Sequence, residues 1–113
     1  MLPRMIGLAR TKEILLTNRR LSAQEALDWG LVNKVVPDGE LIKEAEALAR
    51  RLANGPTLSF GSVKRLLNEA FSETLESQME HESRGIADMT KTKDAKEGIA
   101  AFIERRRPNF TGS

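Results

Sequence analysis

Apolar and polar residues alternate along the chain with the period of an α-helix. In the middle of the sequence, Leu41, Ala45, Leu48 and Leu52 recur at every third or fourth position, with Glu and Lys on the opposite side. That spacing places the apolar residues on one face of a helix. Comparable stripes occur in four other segments: Leu8, Ile14 and Leu15; Val63, Leu66, Leu67 and Ala70; Leu75, Met79, Ile86 and Met89; and Ile99, Phe102 and Ile103. The pattern predicts a mainly α-helical chain.

Capping residues predict a further short helix and a strand between the first two stripes. Ser22 and Glu25 form a capping-box pattern, in which each side chain bonds the backbone N–H of the other residue. Gly30 suits the left-handed position that ends such a helix after about two turns. The β-branched run 31–36, bounded by Gly30 and Pro37, predicts one short β segment.

Capping residues, glycine and proline also predict where the later helices begin and end. Asp38 can cap the helix that carries the Leu41 stripe, which should stop near residues 54–55. Pro56 suits the first turn of the next helix, where its missing N–H has no intrahelical partner. Thr74 then opens another helix. The predicted fold has about six short-to-medium helices with one short β segment.

The last helix is predicted to begin at Asp94 and to end at Pro108. Glu97 stands where it would complete a second reciprocal cap with Asp94. The run 105–107 is all arginine and is expected in the last turn, where positive charge complements the helix C-terminus.

Composition limits the class of protein and the partners. The 113 residues, 40% of them hydrophobic and 4% aromatic, suffice for a single domain over residues 1–113 with a modest aliphatic core. A net charge of +2 is too small to indicate a nucleic-acid partner. There are no cysteines, which fits a reducing compartment. No apolar run approaches the roughly 20 residues that cross a bilayer, so we expect a cytoplasmic protein with no membrane partner.

Motifs that would carry catalysis or bind metal are missing. His81 and Glu82 match the start of the metalloprotease pattern H-E-x-x-H, but Gly85 replaces the second histidine. His81 is the single histidine, so neither a zinc site nor a histidine-based triad is expected. The carboxylates lie on predicted polar faces, where solvation keeps them ionised and unsuited to general acid work. No glycine-rich phosphate loop is present.

One combination of residues suggests ligand binding. Phe102 precedes the arginine run 105–107 at the end of the last helix. An aromatic ring followed by planar cations can stack on a purine and pair with phosphates. The same residues also fit a solvated helix end, so both interpretations stay open at this point.

The order and spacing of many short features resemble the C-terminal helical portion of the crotonase superfamily (enoyl-CoA hydratase/isomerase). The features are Leu2-Pro3-Arg4 with Ile6-Gly7; Ala9, Glu13 and Leu15-Leu16-Thr17; Ser22-Ala23, Glu25-Ala26, Gly30-Leu31-Val32-Asn33 and Val35-Val36-Pro37; Leu48-Ala49, Pro56 and Lys64; Asp94 and Glu97-Gly98; and Ala101-Phe102, Arg106 and Pro108-Asn109-Phe110.

The resemblance implies that the catalytic residues lie in a separate N-terminal core of full-length relatives. Full-length relatives hold acyl-CoA in an N-terminal ββα core, whose oxyanion hole and catalytic glutamates come before the Leu2-Pro3-Arg4 segment. No residue of this chain therefore inherits a catalytic role, and no catalysis by the chain alone is expected. The family needs no cofactor beyond the coenzyme A thioester that is its substrate.

Two binding roles are implied by the same resemblance. Phe102 and Arg105 match the positions that reach the coenzyme A of a neighbouring subunit, and the helices of this region build a trimer in relatives. We therefore expect a homo-oligomer. The alternative is a free-standing, non-catalytic helical module that binds another protein.

Overall fold

The computed structural model describes residues 1–113 and contains six α-helices and no β-strand. The helices are α1 (Leu2–Thr17), α2 (Ala23–Asp28), α3 (Leu41–Ala53), α4 (Thr57–Glu69), α5 (Leu75–Met89) and α6 (Lys93–Ile103). The predicted mainly α fold with six helices is confirmed. None of these helices is long and apolar enough to cross a membrane.

The short β segment predicted at residues 31–36 is not formed. These residues run as an irregular connection between α2 and a 3₁₀ turn at Asp38–Glu40. A strand needs a neighbouring strand to satisfy its backbone groups, and the chain offers no second extended segment. The first N–H groups of the connection turn back to α2 instead, with the N–H groups of Leu31 and Val32 donating to the Ala26 carbonyl at 2.8 and 3.3 Å.

The chain forms two compact units, Met1–Ile42 and Lys43–Ser113. In the first unit, α1 is interrupted at Gly7, whose φ of 81° and ψ of 160° are not helical. Ile6, just before the interruption, and Thr11, one turn after it, are the buried residues of α1. The single-domain assignment of residues 1–113 stays a prediction.

Helix α2 begins at the predicted capping box. The Glu25 N–H donates to Ser22 Oγ at 3.1 Å, and the Ser22 N–H donates to Glu25 Oε2 at 3.0 Å. Both halves of the reciprocal cap are thus present, which satisfies two of the N–H groups that a helix start leaves unpaired.

Helix α2 ends at Gly30, as its sequence predicts. Gly30 has a φ of 72°, and its N–H donates to the Leu27 carbonyl at 2.9 Å while the Leu31 N–H donates to Ala26. This pair of bonds is the Schellman motif, which requires a left-handed residue at its centre.

The predicted boundaries of the next helices need small corrections. Asp38 is not the residue before α3, because it is the first residue of the 3₁₀ turn Asp38–Glu40 that precedes this helix. Pro56 is the residue before α4 rather than part of its first turn. Thr74 caps α5 as predicted, with its hydroxyl accepting the Ser77 N–H at 3.2 Å.

Helix α6 differs from its prediction at both ends. Its N-cap is Thr92, whose hydroxyl accepts the Ala95 N–H at 3.1 Å, so Asp94 and Glu97 form no reciprocal cap. The helix stops at Ile103, well before Pro108. The arginine run 105–107 therefore lies beyond the helix.

Helices α4 and α5 pack closely in the second unit. Gly85 is buried on α5, and a Cβ added there would lie 3.3 Å from both Leu66 Cδ1 and Ser62 Oγ of α4. Even an alanine there would require the Leu66 and Ser62 side chains to shift slightly. The missing side chain at Gly85 thus allows α4 and α5 to approach closely.

Little apolar surface is buried within the chain. Only Ile6, Ala26 and Ala101 are buried apolar residues, and no large side chain is fully buried. The solvent-exposed area is 9174 Å², whereas a compact protein of this mass exposes about 6,200 Å² and two separate compact units would expose about 7,400 Å². The excess shows that the helices carry apolar faces which the chain itself does not cover.

Replacing Gly30 by Ala should lower the free energy of unfolding by about 1 kcal/mol, because an L residue is disfavoured at positive φ. Gly61 is the matched control: it lies inside α4 and a Cβ there meets nothing within 4 Å, so Gly61→Ala should raise that free energy by about 0.5–1 kcal/mol. Urea unfolding followed by circular dichroism measures both. If both substitutions changed the free energy of unfolding in the same direction, the left-handed conformation of Gly30 would be contradicted.

Candidate functional site

The two residues singled out for ligand binding lie together at the C-terminal end of α6. Phe102, in the last turn, is 85% exposed and so has an almost bare ring face. Arg105 follows the helix, is exposed, and donates its backbone N–H to the Phe102 carbonyl at 3.3 Å. The guanidinium of Arg105 has no acceptor in the protein, so ring and cation are both available to a ligand.

The backbone at Arg105 is held in a left-handed turn. Arg105 has a φ of 53°, and the Arg106 N–H donates to the Ala101 carbonyl at 3.0 Å, which completes a second Schellman motif. Glycine is the usual residue at this position, and an L residue there costs roughly 1–2 kcal/mol. The strained conformation makes the chain turn sharply at Arg105, the residue whose guanidinium has no acceptor.

Arg106, in contrast, is bound to two carboxylates and a backbone carbonyl within the protein. Its Nη1 and Nη2 donate to the two carboxylate oxygens of Glu97 at 2.5 and 2.9 Å. Its Nε donates to Glu104 at 2.6 Å, and Nη1 also donates to the Arg107 carbonyl at 3.2 Å. Two carboxylates therefore neutralise this guanidinium, and the bidentate pair with Glu97 fixes its orientation.

Residues 108–113, the C-terminal strap, fold back along α6. Glu97 accepts the Asn109 N–H at 2.8 Å. Asp94, only 3% exposed, accepts the N–H groups of Thr111 and Gly112 at 2.7 and 2.8 Å. The strap also reaches α4, because a Cβ on Gly112 would lie 2.6 Å from Thr57 Oγ1. Both acids that were assigned to a helix cap therefore hold the strap instead.

The bidentate ion pair of Glu97 and Arg106, called the Glu97 clamp below, has electrostatics that follow from these bonds. Hydrogen bonds from Arg106, then the Asn109 N–H, lower the pKa of Glu97 from 4.5 to about 2. The same pair, together with Glu104, raises the pKa of Arg106. Glu97 is therefore a permanently ionised acceptor at neutral pH, the opposite of a proton donor.

A second arginine organises the first unit in a way that the sequence analysis missed. Arg19 donates to Glu13 at 2.8 Å and to Glu25 at 3.2 Å, and its guanidinium lies 5.0 Å from the centre of the Trp29 ring. Arg10 approaches the same ring at 4.9 Å. The Glu13 bond raises the pKa of Arg19, and the backbone bond from Ser22 lowers that of Glu25. Because both acids are six positions from Arg19, helical spacing gave no signal for this network.

His81 lines a polar cavity in the second unit. Its Nδ1 is buried without a hydrogen-bond partner and lies 3.9 Å from Glu69 Oε2, in a polar cavity of about 330 Å³ that also includes Arg65 and Arg84. No group of three or more His, Cys, Asp or Glu residues that could hold a metal ion is present.

A second cavity, of about 300 Å³, is apolar and lies between α4 and α5. Leu66, Ile86 and Met89 contribute to its lining, together with the buried Ser62 and Gly85. It is one of the uncovered apolar surfaces of the chain.

The Glu97 clamp should make stability depend on acid pH. Since the folded chain lowers the pKa of Glu97 from 4.5 to about 2, the unfolded chain binds more protons between those values. The stabilisation is complete above pH 4.5 and is lost as the pH falls towards 2. Acid unfolding followed by circular dichroism should show this slope in the native chain and a shallower one in Glu97→Gln. Equal slopes would contradict the clamp.

Known proteins resemble this chain over its whole length. The family profile "Enoyl-CoA hydratase/isomerase" matches residues 1–113. The chain is 38% identical over 112 residues to 1,2-epoxyphenylacetyl-CoA isomerase of Escherichia coli (strain K12), covering 99% of this chain and 43% of that protein. It is 46% identical over 85 residues to 4-chlorobenzoyl coenzyme A dehalogenase-1 of Arthrobacter sp, covering 75% of this chain and 31% of that protein.

Solved structures share the fold. A putative enoyl-CoA hydratase/isomerase from Mycobacterium abscessus has a TM-score of 0.96 at 34% identity, covering 99% of this chain and 43% of that chain. An enoyl-CoA hydratase from Bacillus anthracis has a TM-score of 0.90 at 36% identity, again covering 99% and 43%. The chain thus spans about two fifths of the length of these relatives. It belongs to the enoyl-CoA hydratase/isomerase family of the crotonase superfamily.

Proposed function

We propose that this chain is the C-terminal helical part of a coenzyme A thioester enzyme, in which it drives association of subunits and supplies part of the acyl-CoA site. Phe102 and Arg105 are the residues that contact coenzyme A. Chemistry on the acyl group, in fatty-acid or aromatic-acid degradation, belongs to a catalytic core outside these residues. We place the protein in the cytoplasm, in line with its lack of cysteine.

The observation that carries the association is the uncovered apolar surface. Helix α3 has an apolar stripe but no buried residue, and Leu41, Leu48 and Leu52 are each about half exposed. Exposed apolar surface on this scale favours association, because each Å² removed from water contributes roughly 25 cal/mol. We propose that other copies of the chain, together with the catalytic core, cover this apolar surface.

The coenzyme A contact is supported by the chemistry at the end of α6. The bare ring of Phe102 can stack on an adenine, and aromatic stacking on a base contributes about 1–3 kcal/mol. The unpaired guanidinium of Arg105 can bind phosphate oxygens through two parallel N–H groups. Together these two side chains match the adenine base and the phosphate groups of an adenosine phosphate.

The same structure supports the view that the chain alone is not catalytic. A general acid at neutral pH needs a carboxyl group whose pKa is raised by burial. The two carboxyl groups with resolved shifts, Glu25 and Glu97, both have a lowered pKa. A purified chain, free of host enzyme, that hydrates an enoyl-CoA at an appreciable rate would contradict this part of the proposal.

Light scattering of the purified chain should give a mass well above 12.6 kDa, with little change between low and high salt, because an apolar interface is weakly screened. Leu48→Glu places a charge in the α3 stripe and should reduce the mass. Glu46→Gln, on the same helix but outside the stripe, is the control. A strictly monomeric chain would instead favour the second candidate, a non-catalytic module whose apolar faces bind a different protein.

Coenzyme A should bind the chain, and Phe102→Ala or Arg105→Ala should each weaken binding by about ten-fold. Arg51→Ala, which removes the same charge from the end of α3, is the control and should have little effect. A titration followed by NMR chemical shifts measures the dissociation constants. If both site variants bind like the native chain, the proposed site is wrong.

A further inference from the structure

The three consecutive arginines after α6 are not equivalent in the structure. Arg105 and Arg107 are exposed and have no acceptor, whereas four of the five side-chain N–H groups of Arg106 are used by Glu97, Glu104 or a backbone carbonyl. A phosphate that approached Arg106 would find one unused Nη2–H beside two carboxylates, unless it displaced them. Arg106 is thus unsuited to contact an anion directly.

We propose that Glu97 and Arg106 form a positioning clamp, which holds the left-handed turn at Arg105 in the geometry that presents this cation beside Phe102. The inference deepens the proposed coenzyme A site and rests on it. The ligand of this site is again the adenosine phosphate end of coenzyme A.

The first argument is the span of the clamp. Arg106 reaches back nine positions to Glu97, which lies on α6 before Phe102. The pair therefore closes a loop that begins on the helix, passes Phe102 and Arg105, and returns to the helix. With both ends fixed, the residues between them have little freedom to reorient.

The second argument is that the turn needs such support. A non-glycine residue at positive φ persists only where the surroundings fix it. Here the backbone bonds of the Schellman motif supply part of that restraint. The bidentate pair and the bond from the Asn109 N–H to Glu97 supply the rest on the following side of the turn. Without the clamp, the backbone at Arg105 would lose its fixed left-handed turn, and binding would have to restore that turn at a cost in affinity.

A substitution at Glu97 separates positioning from simple charge. Glu97→Gln removes a negative charge close to the arginines, so electrostatics alone predicts tighter binding of the polyanion coenzyme A. The clamp predicts the opposite, a dissociation constant raised by about five-fold. Glu80→Gln makes the same change of charge in an exposed ion pair with Arg84 on α5, and it should leave the affinity unchanged.

Two conservative variants complete the series. Glu97→Asp keeps the carboxylate and should bind coenzyme A within about two-fold of the native chain. Arg106→Lys keeps the charge but loses the planar fork, so it should weaken binding about as much as Glu97→Gln. All titrations with coenzyme A are run well below the unfolding midpoint, with helicity checked by circular dichroism. A purely structural role would lower that midpoint without changing the affinity of the folded chain.

The outcomes are distinct. If Arg105→Ala weakens binding while Glu97→Gln and Arg106→Lys bind as tightly as the native chain or tighter, the clamp is wrong and the proposed site stands. If the native chain does not bind coenzyme A, or Arg105→Ala has no effect, the proposed site fails and the clamp with it. Should Glu97→Gln not fold, Arg106→Lys decides by the same criteria.

Discussion

The helices of this chain carry more apolar surface than the chain can bury, and this constraint governs the rest of the structure. Only three apolar residues are buried, and two of these are alanines. Hydrophobic burial is the main source of tertiary stability, and helices of 6 to 16 residues are marginal in water without packing. This uncovered apolar surface is the basis of the proposed association with other polypeptide. The chain spans about two fifths of the length of its relatives.

With so little core, helix ends and ion pairs define much of the local structure. Side-chain caps start α2, α5 and α6, and Schellman motifs end α2 and α6. Each unit then has one arginine that binds two carboxylates: Arg19 in the first and Arg106 in the second. Such exposed pairs contribute modestly to stability. Their effect here is geometric, because each fixes the direction in which the chain leaves a helix.

This geometry also separates binding from support at the end of α6. A run of three arginines suggests three equal cations, yet the carboxylates of Glu97 and Glu104 neutralise the middle one and leave its neighbours free. The strap that follows is held by Asp94 and Glu97, which accept its backbone N–H groups. In the proposed coenzyme A contact, these acids would therefore support the turn, and the exposed Phe102 and Arg105 would meet the ligand.

Local sequence patterns predicted the helical class, the capping box at Ser22, the left-handed end at Gly30 and the family, because apolar period, capping chemistry and motif order can be read directly from the amino-acid sequence. It was wrong about the strand at residues 31–36, since β-branched residues form a strand only beside a partner strand. It was also wrong about Asp94 and Glu97, whose actual partners are Arg106, nine positions after Glu97, and strap residues 12 to 18 positions away. Spacing along one helix cannot reveal such partners. Which arginine is free and which is bound was decided by the tertiary structure alone, because identical neighbours differ only in what the folded chain places beside them.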